Sequence, residues 1–178
     1  MNLPSLILSQ LAWLNRLVDP VSLIDNILDI LHSSKENIQR EIIPQLPGLV
    51  SDKEQIRVAF DLCDMLNDNN ALTAAILDAL ADLNLPAIEA TELRSKVVKR
   101  LSSVPLETIP VLLTFVLKRV SNDEMTFLIL EIRKNLDQAL KGAVSGSNDC
   151  ISLTVESLQN SLVRSKTLAD HWFKGMSL

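Results

Sequence analysis

The sequence predicts an all-α fold with no sheet: an α-solenoid of antiparallel helical hairpins, HEAT-like or armadillo-like, with about nine helices. Three observations lead to this prediction. Nearly every segment repeats apolar residues with a 3.6-residue period, as Ile24, Ile27, Leu28 and Leu31 do. Helix-start patterns recur along the chain. An internal repeat of about 33 residues connects every second helix, which is typical of stacked hairpins.

Capping residues indicate where the helices begin. Asp19 precedes Pro20, so an N-cap acceptor is followed by a proline at the first helical position, where its missing N–H is not needed. In a capping box, a serine hydroxyl accepts from the third helical N–H and a glutamate reaches back to the serine N–H. Three such boxes are predicted: Ser33 with Glu36, Ser51 with Glu54, and Ser121 with Glu124. The predicted helices span residues 3–18, 20–32, 34–50, 52–67, 70–84, 88–102, 105–120, 122–140 and 150–173.

The run from Phe127 to Ile132 is apolar enough to suggest a buried strand. The cap at Ser121 and the continuation of the period through Leu136 and Leu140 favour a helix that is contacted on two sides.

The repeat is carried by apolar triplets at offsets of 34 and 32 residues, and Ile-Pro occurs in the first and third copies. The triplets are Ile43, Leu46 and Leu49, then Leu77, Leu80 and Leu83, then Ile109, Leu112 and Phe115. A four-helix bundle would not generate such a repeat, whereas a solenoid buries each hairpin against its neighbours. We expect a solenoid segment over residues 1–140, a flexible linker over 141–149 that holds two of the four glycines, and over 150–178 a helix of the next solenoid unit.

Composition excludes several classes of function for a chain of 178 residues. Four scattered glycines leave no place for a glycine-rich phosphate loop. Two cysteines and two histidines, far apart in sequence, form no zinc motif. No apolar run approaches the roughly 18 residues of a spanning helix, and the first residues form no signal peptide. We therefore predict no catalytic residue, no cofactor, no metal, no small-molecule substrate and no membrane, in an intracellular protein that is not an enzyme.

A few polar side chains are candidates for catalysis or metal binding, and each also has a structural explanation. His32 falls at a helix C-terminus, where an imidazole suits the helix dipole, and His171 falls in a mixed tail. Cys63 lies on an apolar stripe, as a buried thiol does. The acidic row of Asp61, Asp64 and Asp68 on the same helix is typical of a solvated face rather than a metal site.

Charge is distributed unevenly along the chain. The net charge of −5 divides into −7 over residues 1–87, +3 over 88–120 and −1 over 121–178. Within the basic segment, the helical spacing predicts that Lys96, Lys99 and Arg100 project away from the Leu93 stripe. With two cations at the end of the paired helix they form a candidate phosphate-binding ridge. The basic ridge comprises Lys96, Lys99, Arg100, Lys118 and Arg119. The alternative is a solvated face whose cations stabilise helix C-termini.

Several strings resemble one family in collinear order. Leu11-Ala12-Trp13-Leu14 is similar to its Leu-x-Trp-Leu segment, and the string from Gln39 to Pro47 resembles its Gln-basic-Glu-Ile-Ile-x-x-Leu-Pro. Near the end, Lys166, Thr167, Trp172 and Lys174 resemble its Lys-Thr-x-x-x-x-Trp-x-Lys. The family is the Fanconi anaemia complementation group D type two family, whose members are large nuclear α-solenoids of DNA crosslink repair.

The resemblance implies a fragment of a longer, non-enzymatic scaffold in the nucleus. The family pairs with its paralogue, the Fanconi anaemia group I protein, and clamps double-stranded DNA. It is monoubiquitinated by a core ligase complex, and the resemblance places the acceptor on no lysine of this chain. The alternative function from the residues alone is a protein-interaction adaptor of the armadillo or HEAT type, used in transport or trafficking, with no nucleic-acid role.

Overall fold

The computed structural model describes residues 3–11, 19–66, 70–118, 120–141 and 148–174. Over these residues the fold is all-α with no strand, so the predicted all-α class is confirmed, while the solenoid of hairpins stays a prediction. The run from Phe127 to Ile132 is helical, as predicted. The α-helices are α1 (Leu3–Leu11), α2 (Pro20–Ser33), α3 (Glu36–Ile42), α4 (Leu46–Leu49), α5 (Gln55–Met65), α6 (Thr73–Asp82), α7 (Ala87–Arg100), α8 (Ile109–Val116), α9 (Asn122–Lys141), α10 (Asn148–Arg164) and α11 (Lys166–Lys174).

Two interruptions explain why the described residues contain eleven α-helical segments where nine were predicted. Ile43–Gln45 tightens into a 3-10 turn that separates α3 from α4, at a proline that lacks a donor for the helical ladder. Ser165 separates α10 from α11, and its hydroxyl accepts from the Leu168 N–H at 3.3 Å. That hydroxyl is the N-cap of α11, so a single predicted helix is two.

The predicted helix starts are partly confirmed. Asp19 caps α2, because its carboxylate accepts from the Ser22 N–H at 3.0 Å, and Pro20 follows in the first turn. The box at Ser33 is wrong, since that hydroxyl donates to the Asp29 carbonyl at 2.8 Å inside α2. The box at Ser51 is also wrong: α5 begins after a further turn, and its N-cap residue, Glu54, makes no side-chain cap hydrogen bond.

The Asp19 cap predicts a pH dependence of stability. The hydrogen bond from the Ser22 hydroxyl, followed by that from the Ser22 N–H, lowers the pKa of Asp19. A lowered native pKa means that the charged carboxylate stabilises the fold above its unfolded pKa of about 3.9 and that this contribution disappears as the pH falls through the native pKa. Asp19→Asn keeps a capping acceptor without the titration. We expect the stability of the native protein to exceed that of Asp19→Asn at pH 7, and the gap in urea titrations to close in acid; a constant gap would contradict the prediction.

The described chain forms two compact units, Met1–Glu89 and Ala90–Leu178. In the first unit, α6 packs against the 3-10 turn Ile43–Gln45, α4 and α5, while α1 packs against α3. The repeat residues of these elements are buried: Ile43, Leu46, Leu49, Leu77, Leu80 and Leu83. Gln55, also buried, accepts from the Asn84 N–H at 2.7 Å and so connects the start of α5 to the segment that follows α6.

In the second unit, α8 packs against α10, and α9 packs against α11. Ser157 of α10 donates to the Pro110 carbonyl at 3.0 Å, and Thr114 lies 3.0 Å from the same serine hydroxyl. Arg133 of α9 lies over the Trp172 ring at 5.0 Å and donates to the Trp172 carbonyl. The predicted boundaries at residues 140 and 150 stay a prediction, and residues 142–147 of the predicted linker are outside the described part of the chain.

Candidate nucleic-acid interface

Three members of the basic ridge lie on α7. The buried side of this helix consists of Leu93, Val97 and Val98, and Leu101 follows its last turn into the core. Lys99 is exposed, whereas Lys96 and Arg100 are half-buried. At 100° per residue, Arg100 lies only about 20° from Leu93, so it borders the core instead of opposing it. Of the three, Lys99 alone faces away from the core as the sequence predicted for all of them.

The other two ridge residues follow α8. Lys118 is exposed, and its N–H donates to the Phe115 carbonyl at 3.1 Å in the turn that ends the helix. Arg119 lies outside the described residues. Lys99 and Arg100 occupy the last turn of α7, where cations stabilise the exposed carbonyls, and Glu89 occupies the first turn. This arrangement fits the solvated-face alternative as well as a phosphate contact.

The orientation of α7 is fixed by a polar seam with α9 that the sequence analysis missed. The Arg94 guanidinium donates to the Glu124 carboxylate at 2.7 Å, and the two side chains are only 12% and 19% exposed. One residue later, the Ser95 hydroxyl donates to the Glu131 carboxylate at 3.2 Å. The two glutamates are seven residues apart on α9, so both present to α7. Arg94 is therefore a structural cation and not part of the basic ridge.

The sequence does contain a pattern that indicates this contact between α7 and α9. Arg94 falls among the apolar positions of α7, next to Leu93, and a charge in such a place requires a partner because burial of an unpaired cation is costly. Glu124 is the residue predicted to complete a capping box with Ser121, and in the structure its carboxylate accepts from Arg94.

Both histidines contact a neighbouring polar side chain in the structure. His32 contacts the Asp61 carboxylate at 2.9 Å on the exposed surface between α2 and α5. His171 lies 3.0 Å from the Thr126 hydroxyl. Cys63 is buried, and Asp68 lies outside the described residues.

The described residues contain neither a metal-binding cluster nor a membrane-spanning helix. Within residues 3–11, 19–66, 70–118, 120–141 and 148–174, no three His, Cys, Asp or Glu side chains converge so that they could hold a metal ion. None of the helices described is both long and apolar enough to cross a membrane.

Comparison with known proteins identifies the family. Residues 1–141 match the family model described as "Fanconi anaemia protein FancD2 nuclease". The chain is 31% identical over 198 aligned positions to the Fanconi anemia group D2 protein homologs of Rattus norvegicus and Mus musculus, and 30% identical to the Fanconi anemia group D2 protein of Gallus gallus. Each alignment covers 98% of this chain and 14% of the relative. The chain therefore belongs to the FancD2 family of Fanconi anaemia proteins and spans about one seventh of the length of these relatives.

Proposed function

We propose that this chain is a non-enzymatic scaffold segment of a nuclear DNA interstrand-crosslink repair factor. In this proposal the chain is one segment of an α-solenoid. The whole solenoid pairs with a paralogue, the Fanconi anaemia group I protein, and clamps double-stranded DNA. The ubiquitin ligase core complex is the proposed modifying partner. Membership of the family supports the repair role. Because the chain covers 14% of its relatives, their activity and partners are proposals for it.

The observation that supports a solenoid is the sequence separation of helices that touch side by side. In the first unit, α2 contacts α5 through His32 and Asp61, 29 residues apart, and through Asp25 and Arg57, 32 residues apart. In the second unit, Arg94 and Glu124 connect α7 to α9 across 30 residues. These separations are close to one period of the sequence repeat.

In the proposed solenoid, the intervening helices form a second layer in each unit. In the first unit, α6 packs on the 3-10 turn Ile43–Gln45 and α4; in the second, α8 packs on α10. Contacts between equivalent helices of successive hairpins, in two layers, are what stacked helical repeats require. A closed bundle would instead bring together helices with no fixed sequence separation.

A solenoid slab acts by presenting side chains on a continuous surface, so the basic ridge is the part proposed to meet DNA. Its exposed members in the described chain are Lys99 and Lys118. The net charge of −7 over residues 1–87 repels a polyanion. We therefore expect the isolated chain to bind duplex DNA with micromolar or poorer affinity, and productive binding to need the paralogue.

Charge reversal tests the ridge in the assembly with the paralogue. Reversing all five ridge residues is expected to weaken binding equally for unrelated duplex sequences, because phosphate contacts carry no base information. Each lost contact lowers the slope of log K against log salt by about 0.9. The exposed pair Lys35 and Lys53 provides a matched control: Lys35→Glu/Lys53→Glu is compared with Lys99→Glu/Lys118→Glu. Unchanged affinity and slope for the five-residue variant would show that the ridge is a solvated face.

Two further measurements distinguish the scaffold from an adaptor and from a nuclease. Co-purification with the group I paralogue is expected; its absence, together with capture of a trafficking partner, would favour the adaptor alternative. The matching family model carries the word nuclease. We expect no cleavage of single-stranded, duplex or branched DNA by the chain in Mg²⁺ or Mn²⁺. Metal-dependent cleavage that follows the protein through purification would contradict the non-enzymatic proposal.

A further inference from the structure

Three exposed lysines lie on three helices that contact one another in the second unit. Lys99 is in the last turn of α7, Lys134 is in α9, and Lys174 ends α11. They are 35 and 40 residues apart in sequence, so no local pattern connects them. The contacts between the three helices bring these lysines to one surface.

The polar seam between α7 and α9 places Lys99 and Lys134 at the same level. The Ser95 hydroxyl donates to the Glu131 carboxylate at 3.2 Å. The seam advances in the same direction along both helices, which is the parallel order of equivalent helices in stacked hairpins. Lys99 follows Ser95 by four residues and Lys134 follows Glu131 by three. Each lysine therefore lies about one turn beyond the same contact.

Both lysines point away from the core. At 100° per residue, Lys99 lies about 160° from the buried Val97 of α7, and Lys134 lies about 160° from the buried Ile132 of α9. Packed helices have axes about 8–10 Å apart. The two ammonium groups are therefore neighbours on the solvent side of the α7–α9 pair.

α11 extends this surface on the other side of α9. Arg133, the neighbour of Lys134 in sequence, lies 5.0 Å from the centre of the Trp172 ring and donates to the Trp172 carbonyl at 3.0 Å. Lys174 follows Trp172 by two residues, so it lies within one turn of this contact. We call Lys99, Lys134 and Lys174 the lysine band. Two helix-to-helix steps give it a span of about 16–20 Å, which corresponds to about five or six phosphates along one strand of a duplex.

The carboxylates near the band are few, and two of them are already hydrogen-bonded. Glu131 accepts from a side chain of α7, and Asp137 accepts from a lysine one turn later on α9. Asp170, one turn before Lys174, is exposed. Asp170 is therefore the carboxylate expected to oppose a polyanion at this surface.

We propose that the lysine band binds the phosphate backbone of duplex DNA, and that Lys134 and Lys174 are contact residues in addition to the basic ridge. The proposal rests on the DNA-binding function proposed above and adds two residues from helices that the sequence does not connect with the ridge. Of the ridge, only Lys99 belongs to the band. Because lysine meets a phosphate as a point charge, the band contributes affinity without base preference.

Charge reversal of the band is compared with an equal charge reversal elsewhere in the chain. Each of two variants replaces three exposed lysines. The band variant is Lys99→Glu/Lys134→Glu/Lys174→Glu. The control variant is Lys35→Glu/Lys53→Glu/Lys166→Glu. Duplex binding is measured at several salt concentrations in the assembly with the paralogue. We expect the band variant to reduce the slope of log K against log salt by about 2.7, the value for three lost phosphate contacts, and the control variant to leave it unchanged.

Two single variants test the same surface with less change to the fold. Lys134→Gln removes one exposed charge and is expected to reduce the slope by about 0.9, which keeps the test valid even if the band variant misfolds. Asp170→Asn is expected to strengthen binding about twofold at low salt and to lose this gain at high salt, because it removes an opposing exposed charge. Circular dichroism checks that each variant stays helical.

The outcomes separate the band from the DNA-binding function itself. If the native assembly binds duplex DNA and the band variant matches the control variant in affinity and slope, the band is overturned while DNA binding stands. The same holds if Lys134→Gln leaves the slope unchanged. If the native assembly does not bind duplex DNA, the proposed function and the band are both overturned.

Discussion

Leu112→Ala is expected to lower the free energy of unfolding of the second unit by about 3 kcal/mol, the largest effect of any single substitution considered for this protein. Leu112 is fully buried in α8, together with Ile109, Leu113 and Val116 of the same helix. Removing its branched end deletes transfer free energy and leaves a cavity that a helix held against α10 fills only in part.

The matched control is Val111→Ala, one residue earlier on the same helix. Val111 is 39% exposed, so its truncation is expected to cost less than about 1 kcal/mol. Urea unfolding followed by circular dichroism, with hydrogen exchange to localise the effect, measures both variants. Equal losses for the two variants would mean that α8 does not bury Leu112. Leu46→Ala, at the equivalent position of the first repeat copy, is expected to destabilise the first unit by a similar amount.

Arg94→Ala is expected to cost about 2 kcal/mol. Its removal leaves the Glu124 carboxylate, only 19% exposed, without its cation, and an unpaired charge in that position costs more than an exposed pair contributes. This cost in unfolding free energy is smaller than that expected for a fully buried pair, because both side chains are partly exposed to solvent. The Arg94 Nε is buried without a hydrogen-bond partner, so the pair carries a desolvation cost of its own.

A double variant that lacks both charges separates these contributions. Arg94→Met/Glu124→Leu is expected to be close to neutral, because an apolar pair of similar volume removes both charges and their desolvation cost. The control is Arg40→Ala, which breaks the exposed pair with Glu36 at 2.9 Å and is expected to cost about 0.5 kcal/mol or less. A loss for Arg94→Ala as small as that for Arg40→Ala would show that the α7–α9 seam does not hold α7 in place.

Local sequence patterns predicted the features that depend on residues within one or two turns of the same helix. The 3.6-residue period of Ile24, Leu28 and Leu31 predicted the buried side of α2, since side chains one turn apart share a face. Asp19 followed by Pro20 predicted the start of that helix, because the cap and the residue it serves are three positions apart. The repeat triplets predicted buried residues in α4, α6 and α8, with Phe115 half-buried.

The predictions were wrong where a side chain has more than one partner or environment available to it. Ser33 followed by Glu36 has the spacing of a capping box, yet the Ser33 hydroxyl finds a carbonyl inside α2 that is equally near. The prediction that Arg100 shares the solvent side with Lys99 is wrong, because the 3.6-residue period brings Arg100 toward the core. The break at Ser165 depends on a single hydroxyl that caps α11, a choice that the apolar period alone does not reveal.

The sequence by itself determined the helical class, most of the core residues and the family, because each of these depends on the spacing and order of residues along one chain. Only the tertiary structure decided which charges are structural and which face solvent. Arg94 and Lys99 are five residues apart on one helix, but Arg94 meets Glu124 on a helix 30 residues away while Lys99 remains exposed. That distinction depends on which neighbour packs against each side of α7, and distance along the chain does not encode it.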